Sequence, residues 1–302
     1  MRRRALLACA LLWLGAGTAQ AGALQFCTQD PTLTPAQQDR LLRFGAVVKE
    51  VLEAAGQPAA LIARSGTNLD RFGVRYSHAG ITLQHSPNTP WSVRQLYYAC
   101  DERKPRLFDQ GMAGFVLGGS DPSLGYVSLL LLPPAQATAL AQAARDNQQA
   151  LQLLGATYSA NAYPFSPLYQ NCNQWVAELL ATLWSTASPA GDGMEPVRVR
   201  AQRWLLQTGF EPTVFATRNP FLMLATGFVP WLHSDDHPPE DVQAMRYRVA
   251  TPQAIERWVI AQVPGVQRIE LCHTTTQVVV RRGPGLLPEG CTAEPGDTVL
   301  PL

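Results

Sequence analysis

Residues Tyr169–Val176 read YQNCNQWV and stand between a proline-containing loop, AYPFSP (Ala162–Pro167), and an apolar run, AELLATLW (Ala177–Trp184). Val176, Leu179, Leu180 and Leu183 fall at i, i+3, i+4 and i+7, the spacing of a helix with one buried face. Cys172 therefore stands where a loop turns into a helix. It can be core filler, half of a disulfide, or a nucleophile. Its place four residues before Val176, on the buried stripe, suits a structural cysteine. A helix start suits a nucleophile as well, because the macrodipole puts roughly half a positive charge there, which lowers a thiol pKa and favours the thiolate. Backbone N–H groups at the same helix start can hold an oxyanion.

Upstream, LTPAQQDRLLRFGAVVKEVLEAAG (Leu33–Gly56) has Thr34 as N-cap, Pro35 at the first helical position, and apolar Leu41, Leu42, Phe44, Val48, Val51 and Leu52. It predicts an amphipathic helix stopped by Gly56 and Pro58. AALIARSG reads as a short buried strand, and YSHAGITLQH and WSVRQLYYA as two strands around the turn SPNTP. YVSLLLL (Tyr126–Leu132) is a further strand, closed by Pro133-Pro134, and Ala135–Leu154 an Ala/Gln/Leu-rich helix closed by Gly155.

Downstream, STASPAGDGME (Ser185–Glu195) is a composition break that marks a boundary or long loop. Beyond it Val197–Gln207 predicts a helix, Asn219–Val229 is apolar and irregular, and WLHSDDHPPED is a polar loop. The end reads as strand (MRYRVA), helix (Pro252–Val263) and a strand pair (RIELC, QVVVRR).

The first residues, MRRR, an apolar run from Ala5 to about Ala16, and Ala19-Gln20-Ala21 are the parts of a secretory signal peptide. Residues 1–21 are then signal, and the remainder is expected to be periplasmic or secreted, with no transmembrane segment once the signal is removed. Lys plus Arg total 24 against 23 Asp plus Glu, a net charge of +1. That balance gives a nucleic-acid or polybasic membrane role no electrostatic support. Setting aside Cys9 in the signal leaves Cys27, Cys100, Cys172, Cys272 and Cys291. Pairing is the default in an oxidising compartment. Cys272 and Cys291 flank a predicted hairpin and are natural partners, Cys27 and Cys100 can join the mature N-terminus to a strand end, and Cys172 is left over.

Attack by a thiol on an acyl carbon needs a proton acceptor within reach, usually His, and a third group to orient the ring. His78 begins a strand, Ser77-His78-Ala79-Gly80-Ile81, whose small residues let another backbone approach closely. A His at a strand end facing a Cys at a helix start is a papain-type arrangement. Here His precedes Cys by 94 residues (172 − 78), the reverse of papain.

ALIARSG, YSHAGI, YVSLLLL with its following helix, the Tyr-rich loop and NCNQWV, in that order, resemble the circularly permuted branch of the NlpC-type papain-like superfamily. That branch includes lecithin retinol acyltransferase-like proteins and YiiX-type bacterial hydrolases. The likeness covers roughly Ala59–Trp184 and extends to an uncharacterised family of secreted bacterial proteins within or near the branch. It implies Cys172 as nucleophile, His78 as base, and a third polar residue on the next strand. Gln95 falls opposite His78 if the turn is a four-residue loop; a slipped register offers Tyr98 instead. Gln can accept from the imidazole N–H through its carbonyl oxygen, and it departs from the more usual His, Asn or acid.

The expected fold is α+β: residues 22–188 form a permuted papain-like domain, with the helix bearing Cys172 packed on an antiparallel sheet bearing His78 and Gln95. Residues 189–302 form a C-terminal α/β extension. The expected function is that of a thiol hydrolase or acyltransferase, needing no cofactor, on a cell-envelope amide, ester or thioester (peptide or lipid acyl). Tyr158, Tyr163 and Tyr169 are candidates for the substrate groove. The rival is a non-catalytic secreted binding module in which Cys172 is structural. His233-Ser-Asp-Asp-His237, with Glu240 and Asp241, has metal-ligating residue types. Its prolines and composition favour a solvated polar loop, so no metal is expected.

Overall fold

The computed structural model describes residues 33–185, 195–217 and 229–302. They belong to one unit, Leu33–Leu302. The expected signal peptide and Cys27 lie outside the described residues, as does most of the composition break and of the irregular apolar stretch.

The apolar runs form an antiparallel sheet from β1 (Ala59–Arg64), β2 (His78–Leu83), β3 (Ser92–Ala99), β4 (Lys104–Gly111), β5 (Gly125–Leu131), β8 (Gln267–His273), β9 (Gln277–Arg282) and β10 (Thr298–Pro301). Its order is β10-β9-β8-β5-β1-β2-β3-β4. A separate pair joins β6 (Thr213–Ala216) to β7 (Arg246–Val249). Every residue of β1 and β2 is buried. Helices cover both faces of the sheet, which is why these strands read as continuous apolar runs rather than alternating ones.

One face is covered by α1 (Pro35–Ala55) and α2 (Met112–Leu117), whose Phe44, Val48, Leu52 and Phe115 pack on Ala60, Ile62 and Val93. The N-cap of α1 is as predicted. Thr34 accepts from the Gln37 N–H, Gln37 answers the Thr34 N–H, and Gly56 ends the helix in the left-handed region. Leu42 points away from the core, 47% exposed.

The other face is covered by α3 (Pro134–Arg145), α4 (Asn147–Gln152), α5 (Cys172–Ser185), α6 (Val197–Gln207) and α8 (Pro252–Gln262); a short α7 (Pro239–Gln243) precedes β7. The helix expected over Ala135–Leu154 is two helices. Asp146 leaves helical geometry and its carboxylate accepts from the N–H groups of Gln148 and Gln149, capping α4. Residues beyond 189 add β8–β10 to the same sheet through β5 and place α6 and α8 on the α5 face.

Candidate active site

Asn171 caps α5, its Oδ1 accepting from the Gln174 N–H at 2.7 Å, so Cys172 is the first helical residue. The helix is more deeply set than its apolar stripe predicts, since every residue from Cys172 to Ala181 is buried. Most of its polar atoms hydrogen-bond internally, while Gln174 Oε1 and Trp184 Nε1 are buried without a partner. Glu178 accepts from Arg198 at 2.9 and 3.1 Å, from Gln170 at 2.6 Å, from Gln202 at 2.7 Å and from Gln174 at 3.1 Å. This network locks α5 to α6 and to the loop ahead of Cys172. The same Gln170 receives the Gly155 N–H and donates to the Leu153 carbonyl.

Asn173, beside Cys172, ties the helix start to β2 on both sides of His78. Its Oδ1 accepts from the Ala79 N–H at 2.9 Å, and its Nδ2 donates to the carbonyls of Ser77 and Ala250, both at 3.2 Å. The amide enters where β2 and β3 part, for their pairing ends at Ile81↔Arg94. Gly80 lets β3 lie close beside β2 at this point. A β-carbon there would come within 2.6 Å of Val93 Cγ1 and 3.0 Å of the Arg94 carbonyl oxygen.

His78 Nε2 lies 2.8 Å from Gln95 Oε1, and the Gln95 amide nitrogen donates to Gln110 Oε1 at 2.7 Å. With the Gln95 amide oriented by Gln110, Nε2 carries the proton and Nδ1 keeps the lone pair. The register differs from the expected one. Continuing the pairing Ile81↔Arg94 puts Gly80, not His78, opposite Gln95, and the two side chains meet diagonally. Tyr97, opposite His78 by the same count, stacks on its ring at 4.6 Å. Tyr98, the alternative third residue, points to the other face, its ring 5.2 Å from that of Tyr158.

Strand alternation adds a feature the motifs do not show. His78 pairs with Arg64 across β1, so both share the face of Ile62 and α2, and the His78 ring lies 6.1 Å from that of Phe115. Cys172 belongs to the cluster of the α5 face, with Ala79 and Ile81. The Asn173 side chain thus ties the helix start that carries Cys172 to the β2 backbone on either side of His78. The Tyr158 hydroxyl hydrogen-bonds the Cys172 thiol. It is carried there because residues 157–159 pair with Gln170.

Burial pushes the Cys172 thiol up to about 11, against the pull of the Asn173 N–H, the Arg64 charge, its own N–H and Tyr158. The expected lowering by the helix start is present but outweighed. Burial and the Arg64 guanidinium push the His78 imidazole down to about 3, against the Gln95 bond. The pair at rest is a neutral thiol and a neutral imidazole.

Of the three tyrosines expected in a groove, Tyr158 is at the thiol. Tyr169 stacks on His233 at 4.3 Å and donates to Asp235 at 3.0 Å, while the Tyr163 N–H donates to Asp236 at 2.7 Å. The segment expected as a solvated loop is therefore docked on the loop ahead of Cys172. His237 is buried and its Nε2 donates to the Asn161 carbonyl at 2.7 Å. Among the described residues no group of three or more His, Cys, Asp or Glu is gathered as a metal would need. Cys272 and Cys291 form the expected disulfide, Cys100 is disulfide-bonded, and Cys172 is the free cysteine of the described residues.

No curated protein and no solved structure matches the chain. No helix among the described residues is long and apolar enough to cross a membrane. A family described as "Uncharacterized protein conserved in bacteria (DUF2145)" matches residues 51–259, a span that holds His78, Gln95, Cys172 and the Glu178 network. By that match over more than half its length, the chain belongs to this bacterial family.

Proposed function

We propose that the protein is a secreted or periplasmic cysteine-dependent hydrolase or acyltransferase of the permuted papain-like type, with Cys172 as nucleophile, His78 as base and Gln95 orienting the ring. The observation that carries the reading is the Asn173 side chain, which pins the start of the Cys172 helix to the backbone on both sides of His78. The Gln95 bond supports it by leaving Nδ1 as the proton acceptor. The Cys272–Cys291 bond suits an oxidising compartment.

In this mechanism Nδ1 takes the thiol proton as Sγ attacks an acyl carbon, and the N–H groups at the helix start face the charge that forms. The imidazolium returns the proton to the leaving group, which leaves a thioester on Cys172. Water or another acceptor, deprotonated by His78, then releases the acyl group and restores the thiol. Because neither group is charged at rest, proton transfer accompanies attack rather than preceding it.

The test is acetyl transfer from 4-nitrophenyl acetate, followed by nitrophenol release and by the mass of the Cys172 peptide. An acetyl group on Cys172, formed about a hundredfold more slowly in His78→Ala, is the expected result. An equal rate in that variant, or acetylation elsewhere only, removes the reading. The burial of Cys172 and its raised thiol favour a second one, a non-catalytic module with a structural cysteine. It predicts that His78→Ala leaves Cys172 chemistry unchanged.

A further inference from the structure

Three arginines among the described residues are buried: Arg64, Arg198 and Arg268. Arg198 lies on Glu178, and Arg268 lies on Glu256 and Glu270. Arg64 is different. It is 6% exposed, yet its contacts are the Ser65 carbonyl at 3.3 Å, the Tyr97 hydroxyl at 3.0 Å and the Phe115 ring, 5.4 Å from Cζ. Its Nε is buried without a hydrogen-bond partner, and no carboxylate of the described residues pairs with it. A guanidinium taken out of water is ordinarily matched by an anion, because neutral acceptors do not return what desolvation removes.

The unmatched charge is at the candidate site. Arg64 pairs with His78 across β1 and β2, and its acceptor Tyr97 stacks on the His78 ring. The charge acts on both His78 and Cys172. Against the guanidinium stand Tyr97 from β3 and the Phe115 ring from α2, with His78 as its cross-strand neighbour on β2. No acidic group is among them. At Gly118 a β-carbon would come within 2.6 Å of Nη2, so the guanidinium fits because that position has no side chain.

We propose that Arg64 is the carboxylate-binding subsite of the enzyme, and that the acyl substrate carries a carboxylate next to the scissile carbonyl. This deepens the thiol hydrolase or acyltransferase reading and rests on it. A single guanidinium with an unpartnered Nε suits a singly charged carboxylate, whereas a phosphoryl group brings nearly two charges and three acceptor oxygens. Binding the carboxylate also acts on the base, whose imidazolium is disfavoured by burial first and by the Arg64 charge second. It cancels the charge that disfavours the imidazolium, and His78 then accepts the Cys172 proton more readily.

Two small alkylating reagents test this without knowledge of the natural substrate. In each the Cys172 sulfur displaces iodide and forms one S–C bond, but iodoacetate carries a carboxylate and iodoacetamide does not. The rate at Cys172 is read on the full chain near neutral pH by peptide mass. Wild type is expected to react roughly tenfold faster with iodoacetate. Arg64→Gln brings the ratio to one or below, and Arg64→Lys, which keeps the charge and loses the fork, falls between. A wild-type ratio at or below one overturns the subsite whether or not Arg64→Gln folds, as does an unchanged ratio in a folded Arg64→Gln. Reaction with iodoacetamide alone sinks the subsite and leaves the nucleophile standing. No reaction with either reagent takes down the nucleophile reading itself, and the subsite with it.

Discussion

Burial holds the His78 ring neutral down to about pH 3, while the same imidazole in an unfolded chain protonates near 6.5. Between those two values the unfolded state binds the extra proton. Stability therefore falls as pH drops through this window, by up to about 1.4 kcal/mol per pH unit from this one group. Cys172 acts at the other end. Its thiol is raised from 9.0 to about 11, so the unfolded chain loses the proton first and stability declines as pH rises between those values. Urea unfolding of wild type and His78→Gln across the acid window measures the first effect. The variant is expected to show the shallower acid loss, and parallel curves would mean that His78 does not titrate with unfolding. The helix start at Cys172 and the strand start at His78 were legible in the sequence, whereas Gln95 was reached through a register that the structure shifts. Arg64 was not legible, since an arginine at the end of an apolar strand looks like a charge reaching solvent until its partners are known.

The start of α5 is held by hydrogen bonds rather than by its apolar stripe alone. Asn173→Ala removes three of them and leaves the Ala79 N–H and the carbonyls of Ser77 and Ala250 without their partner. A loss of about 2–4 kcal/mol is expected, together with faster hydrogen exchange at the Ala79 amide. Unchanged exchange there would show that Asn173 does not close the gap between β2 and β3. Glu178 is the second lock. Glu178→Ala strands Arg198 in the core and is expected to cost about 3–5 kcal/mol, whereas Glu178→Met with Arg198→Met recovers most of it. Thermal or urea unfolding of the two proteins decides, and equal losses would contradict the pairing. Apart from Gln174, one turn before Glu178, none of this was legible locally. Glu178 stands alone among apolar neighbours, and its partners Gln170, Arg198 and Gln202 come from two other segments. β4 was missed for a related reason: KPRLFDQG is an edge strand with one buried residue, Pro105, and has no apolar run to announce it.

At the scale of the whole molecule, the family match and the folding unit end in different places. The match stops at residue 259, yet β5 pairs with β8 along its full length, from Gly125↔His273 to Leu131↔Gln267. The C-terminal strands also reach toward the site. Glu270 on β8 is buried and accepts from Tyr76, two residues before His78, and from Arg75 at 3.0 Å; Arg75 also donates to the Leu287 carbonyl at 2.7 Å. The Cys272–Cys291 bond fastens the segment after β9 to β8. The hydrophobic patterns of RIELC and QVVVRR announced two strands but not which sheet they join, because nothing in an apolar run names its neighbour. A chain ending at residue 263 would expose the β5 edge and leave Arg75 without its buried counter-charge. An open edge of apolar residues is a template for association. Such a truncation is expected to aggregate, or to lose its near-ultraviolet circular dichroism and cooperative unfolding while keeping helical signal. A soluble monomer that unfolds cooperatively would instead make 51–259 the self-sufficient domain and β8–β10 an appendage.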